Sequence, residues 1–176
     1  LTLLPANVLQ IDYRGYGPSK GKPSEQGLYL DAKSAYDFLV KEKGVKPEEL
    51  FVYGISLGGG VATETALRYP CAGLILQSTF TSAPDMAATR VMNLPLGLFM
   101  SAQYANKSKV GKLGKPLMIV HSKDDELIPF QMAEELYRLA KEPKEFHPFA
   151  GAKHNDLLGL RAKELFALIH SFVGGK

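Results

Sequence analysis

At 176 residues, the chain has room for one globular domain with its own core, and 45% hydrophobic against 22% charged residues is an ordinary balance for a soluble fold. A net charge of +3 without a dense Lys/Arg block argues against a nucleic-acid surface and leaves only weak attraction to anionic membranes open. Cys71 is the only cysteine, which excludes an internal disulfide and a cysteine-based metal site, and no run of about 18 apolar residues is present to span a bilayer.

Strand and helix signals alternate along the chain. Val8–Asp12 reads as a short apolar strand ending in the turn Arg14-Gly15-Tyr16-Gly17-Pro18. From Leu28 to about Val40, apolar residues at Leu28, Ala32, Ala35, Tyr36 and Leu39 keep helical spacing, and Gly44 and Pro47 stop that helix. Leu50–Tyr53 is a second buried strand, followed by a glycine-rich turn and a helix to about Tyr69. Ala72–Gln77 is a third. The stretch from Ser78 to Lys115, rich in Met, Phe and Leu and broken by Pro84 and Pro95, is too long for a simple connection. It reads as a cap of short helices inserted at 78–115 within a single domain spanning 1–176. Regularity returns with strand Leu117–Val120, a helix from about Pro129, strand Lys144–Phe149 and a last helix from about Leu160 to Phe172. Near-continuous apolar strands alternating with amphipathic helices predict an α/β fold: a mostly parallel, doubly wound sheet with helices on both faces. In such sheets the site lies beyond the carboxyl ends of the strands.

Gly54-Ile55-Ser56-Leu57-Gly58 stands between a predicted strand and a predicted helix. A serine on that sharp turn projects its hydroxyl outward, side chains at Gly54 and Gly58 would strike neighbouring backbone, and the Leu57 amide would face a developing oxyanion. The five-residue pattern alone also fits a glycine-rich turn with an incidental serine. A phosphate-binding loop is excluded because no lysine and Ser/Thr follow the last glycine.

A serine nucleophile of this kind needs an acid and then a histidine downstream. His154, in the polar loop Gly151–Asp156 after the strand ending at Phe149, is the candidate base. His121 ends a strand and is expected to pack or cap there; His147 lies within a strand and His170 on the last helix. Asp124, Asp125 and Glu126 are adjacent, and chemistry alone leaves the acid open. One should hold the imidazole, while the others should be solvated or complement the helix starting near Pro129.

Tyr13-Arg14-Gly15-Tyr16-Gly17-x-Ser19, Pro23-Ser24-Glu25, Gly27–Asp31, Gly54-x-Ser56-Leu57-Gly58-Gly59, Ser78–Ser82, Asp125-x-x-Ile128-Pro129 and Gly151-x-x-His154-Asn155-Asp156 follow in this order. In combination they resemble the α/β-hydrolase domain-containing proteins of the serine aminopeptidase/lysophospholipase-like group, above all the branch related to acyl-protein depalmitoylases. The resemblance covers essentially the whole chain. It implies Ser56 as nucleophile, His154 as base, Asp125 as acid with Asp124 second, and Leu57 as half of an oxyanion hole. It also implies a second oxyanion donor on a His-Gly loop and a further strand between the one ending at Asp12 and the one ending at Tyr53. No His-Gly pair occurs upstream of Ser56, and the chain opens on Leu1, so it is expected to be the C-terminal portion of a hydrolase domain lacking the first strands.

The function expected is hydrolysis of an ester or thioester through an acyl-enzyme, with no metal or organic cofactor. Tyr16, Met92 and Phe99 are expected to face the substrate. An amidase or aminopeptidase on the same residues, and a non-catalytic binding module, are the alternatives. A cytoplasmic or membrane-associated location is expected, with any membrane anchoring through a segment upstream of Leu1.

Overall fold

The computed structural model describes residues 6–90 and 102–174. Four parallel strands, β1 (Phe51–Ile55), β2 (Gly73–Gln77), β3 (Leu117–Ser122) and β4 (Lys144–Phe149), lie in the order β1-β2-β3-β4. The helices are α1 (Glu25–Asp37), α2 (Leu57–Arg68), α3 (Ala83–Arg90), α4 (Phe130–Leu139), the short α5 (Leu157–Leu160) and α6 (Ala162–Gly174). Most sit within a few residues of their predicted places. The last helix, expected from about Leu160 to Phe172, is α6, and the short α5 precedes it.

Alternation along the strands sorts the core into two layers. Leu74, Leu76, Leu117 and Ile119 face Ala62 and Ala66 of α2 and Ala133 and Leu136 of α4. Ile75, Met118 and Val120 point the other way, onto Leu157, Leu165, Phe166 and Ile169 of α5 and α6. Both faces of β2 and β3 are therefore buried, as the continuous apolar strands predict, in a parallel sheet with helices on both sides.

A third cluster brings Leu28 and Tyr29 of α1, Val61 of α2, Phe80, Ala83 and Tyr104 together with Ile128 and Met132. The ends of the segment that contains α3 are fastened here. Ala83 N–H donates to the Gln103 carbonyl at 2.8 Å, and Glu25 accepts from the Gln103 and Tyr104 amides at 2.6 and 2.9 Å.

The strand expected over Val8–Asp12 does not form: these residues have no regular pairing, and Val8 and Leu9 are exposed. A groove of about 140 Å³, lined by Leu9, Ile11, Phe51, Val52 and Tyr53 among others, separates the segment from β1. Neighbouring strands must approach to roughly 4.8 Å to share hydrogen bonds, so without a strand in that gap the segment cannot join the sheet. Its following turn is nevertheless secured, because the Arg14 guanidinium clasps Asp31 of α1 at 2.7–3.0 Å and the Arg14 amide donates to the same carboxylate.

Strand register sets up what lies above the sheet. Ile55 pairs with Gln77, so the turns after β1 and β2 emerge side by side. Ser122 pairs with Phe149, which does the same for the loops after β3 and β4.

Candidate active site

Ser56 stands between β1 and α2 at φ 53°, ψ −120°, a conformation that non-glycine residues adopt only at a cost of about 1–3 kcal/mol. Three contacts hold it. Ser56 N–H donates to the Gln77 carbonyl at 2.9 Å, while its own carbonyl accepts from Gly59 N–H at 3.0 Å and from Thr79 Oγ1 at 2.8 Å. Thr79 presses so close to Gly59 that a Cβ there would meet Oγ1 at 2.2 Å, so the glycine admits the threonine that steadies the elbow. Leu57 is the first residue of α2, and its N–H is one of the first-turn donors left without a helical acceptor.

The other two candidates converge on this serine. His154 Nε2 lies 3.0 Å from Ser56 Oγ, and its Nδ1 lies 2.8 Å from Asp125 Oδ2. Asp125 is turned into place by its own loop, since its Oδ1 accepts from the Leu127 and Ile128 amides at 2.9 and 2.8 Å. An ionised carboxylate only accepts, so Nδ1 carries the proton and Nε2 presents a lone pair to the serine hydroxyl.

The neighbouring acids Asp124 and Glu126 are exposed, as the sequence reading expects, and each also takes a backbone partner. Asp124 accepts from Gly151 N–H at 2.6 Å, and Glu126 accepts from His154 N–H at 3.0 Å. Ser122 Oγ donates to the Ala152 carbonyl, and Lys123 N–H donates to the Phe149 carbonyl at 2.8 Å. The whole loop after β3 thus grips the histidine loop, with two of the three consecutive carboxylates on its backbone and one on its ring. The hydrogen bond from His154 N–H holds Glu126 below its ordinary value.

Burial alone would raise the Asp125 carboxyl, but hydrogen bonds from His121, His154 and the Ile128 amide outweigh it and hold it well below the usual range. A carboxyl depressed in the folded state contributes stability that is complete above its unfolded value of about 3.9 and lost as pH falls toward the folded one. Thermal unfolding of the wild type and of Asp125→Asn should therefore show a Tm gap that is steady near neutral pH and narrows below about pH 4. A gap that stays constant to pH 3 would contradict this.

The model of the family described as Serine aminopeptidase, S33, matches residues 3–110, more than half of the chain. The chain belongs to this family. Residues 3–110 of the serine aminopeptidase match include the elbow, and the acid and histidine loops follow it. The chain is 34% identical over 170 residues to an uncharacterized protein of Mycobacterium tuberculosis, covering 97% of this chain and 60% of that one. It is 35% identical over 156 residues to alpha/beta hydrolase domain-containing protein 17B of Xenopus laevis, covering 86% and 51%. The chain thus spans between 51% and 60% of the length of these relatives. Among solved structures it is similar to a Pyrococcus furiosus esterase, with TM-score 0.75 and 20% identity over 93% of this chain and 67% of that one. A monoacylglycerol lipase of Paleococcus ferrophilus gives TM-score 0.66 and 18% identity over 92% and 80%.

Of the expected substrate-facing residues, Tyr16 is exposed in the turn after Tyr13, close enough to Tyr104 to help raise that phenol, which burial raises most. Met92 and Phe99 lie outside the described residues. Thr79, Asp124, Glu126 and Ser122 acquire roles that sequence reasoning did not give them. The Ser78–Ser82 run carried a signal for the first, but backbone partners of the others leave no mark in sequence. Among the described residues, no group of three or more His, Cys, Asp or Glu side chains is arranged to hold a metal ion, and no helix is long and apolar enough to cross a membrane.

Proposed function

We propose that this chain carries the reacting groups of a serine hydrolase that cleaves a carboxylic ester or thioester through an acyl-enzyme. The observation that carries this reading is the unbroken line from Ser56 Oγ through the His154 ring to Asp125, at 3.0 and 2.8 Å, hung on a strained strand-to-helix turn. As Ser56 Oγ attacks the acyl carbon, its proton passes to His154 Nε2, and the imidazolium is stabilised by Asp125 across Nδ1–H. The tetrahedral oxyanion takes a hydrogen bond from Leu57 N–H. His154 then protonates the leaving alcohol or thiol, and water repeats the sequence to free Ser56 and release the acid. Losing one of two oxyanion donors typically lowers turnover by about 10²–10³. The second donor is proposed to come from a His-Gly loop of the complete hydrolase domain. Tyr16, Met92 and Phe99 are proposed to face an aliphatic acyl group.

The family's description as an aminopeptidase supports a second reading, cleavage of an amide by the same residues. A fluorophosphonate probe is expected to attach to the peptide bearing Ser56, and its absence there would overturn both readings. Esters of rising acyl length, assayed beside an anilide of one of the same acids, then separate them. Faster turnover of the longer esters than of the acetyl ester or the anilide is expected. An anilide hydrolysed faster than its ester would put the amidase reading first.

A further inference from the structure

His121 is buried at the end of β3, where it pairs with Pro148 of β4. Its Nε2 lies 3.0 Å from the Ile128 carbonyl oxygen and 3.4 Å from Asp125 Oδ2. A carbonyl only accepts, so Nε2 bears the proton, and Nδ1 is the bare nitrogen. That Nδ1 is buried and finds no hydrogen-bond partner among the described residues.

We propose that His121 is a positioning residue for Asp125; this rests on the serine-hydrolase reading above. The two backbone amides on Asp125 Oδ1 fasten the carboxylate to its own turn, but they do not fasten that turn to the sheet. His121 does so. Its ring rises from β3, is braced edge-on by Phe130 of α4 with centroids 6.0 Å apart, and donates to the residue that closes the turn. Ile128 is only 3% exposed, so water cannot take over the carbonyl in place of the imidazole. Without the donor, the turn must shift until that carbonyl is satisfied. Asp125 moves with it, because Oδ1 is bound to the amide of the same Ile128. The titratable groups around the ring are Asp125 beside Nε2 and, past that carboxylate, His154; α4 presents the aromatic face of Phe130.

The test uses the full chain with His121→Leu, which removes the donor, and His121→Gln, whose side-chain amide reaches about as far as Nε2. The readouts are the His154 Nδ1–H resonance by NMR, kcat and KM for an ester, and thermal unfolding. In the leucine variant the Asp125–His154 contact weakens, so the downfield Nδ1–H resonance should move upfield or be lost to exchange with water. Its kcat should drop about tenfold to 100-fold with KM little changed, as expected for a misplaced catalytic group. The glutamine variant should restore the wild-type resonance and most of kcat. If leucine prevents folding, His121→Phe replaces it with the same expectations. A role in packing alone would lower Tm while leaving the His154 Nδ1–H resonance unchanged, and that result overturns the proposal, as does an equal loss in both variants. The resonance is read without turnover. A wild type that neither hydrolyses esters nor takes the probe would sink the hydrolase reading, while the NMR arm still decides whether His121 holds Asp125 against His154.

Discussion

Asp125→Asn is expected to lower kcat by about 10⁴ while leaving the fold and ester binding nearly intact. The asparagine Oδ1 can still accept from the Leu127 and Ile128 amides, which hold this side chain in place. Its amide nitrogen then faces His154 Nδ1. Two donors cannot face each other, so the imidazole keeps its proton on Nε2 and presents N–H, rather than a lone pair, to Ser56. Steady-state kinetics near neutral pH read the loss directly, and an unchanged KM with a normal near-ultraviolet circular dichroism spectrum would exclude misfolding. A variant retaining a tenth of wild-type kcat would show that Asp125 is not the group that orients His154. In that case Asp124 or Glu126, which hold the histidine loop by its backbone, would be next to examine.

Gly54→Ala is expected to be the most damaging glycine-to-alanine change among the described residues. A Cβ at Gly54 would lie 2.4 Å from the Gly58 carbonyl oxygen, 2.7 Å from the Gly58 carbonyl carbon and 2.6 Å from Ala62 Cβ. None of these is the end of a flexible side chain, so the clash is relieved only by lifting α2 away from β1. That movement opens the core between Ala62, Ala66, Leu74 and Leu76 and displaces Leu57 and Ser56 together. A loss of about 3 kcal/mol or more is expected, or roughly 6–12 °C in Tm for a chain of this size. Gly159→Ala is the matched control, because a Cβ there meets nothing within 4 Å. Chemical denaturation of both variants checks the difference, and equal midpoints would contradict the packing argument.

Much of this architecture was legible before any coordinates. The continuous apolar runs at Leu74–Leu76 and Leu117–Val120 can only be strands covered on both faces, and they are. The elbow was legible because two glycines and a serine at fixed spacing answer to one local backbone geometry. Joining that elbow to Asp125 and His154 required chain order and a resemblance, since the three side chains meet only through strand register. What escaped was non-local. Val8–Asp12 has a strand's composition, but strand formation needs a neighbour within hydrogen-bonding reach, and composition does not say whether one is there. Asp124 and Glu126 looked like ordinary surface acids because their partners are backbone amides 27 and 28 residues away. His121 looked like a strand-end residue, and only the returning turn at Ile128 shows what its ring is for.

The segment around α3 is pinned at both ends. Ala83 is tied to Gln103, and Glu25 reaches across from α1 to hold Gln103 and Tyr104, so the chain leaves and re-enters the body of the protein at one clasp. For any chain pinned at both ends, each doubling of the length between them costs only about 0.6 kcal/mol of closure entropy. The clasp therefore fixes where the two ends of this segment join the body of the protein, beside Phe80 and Tyr104, whatever the length of chain between them.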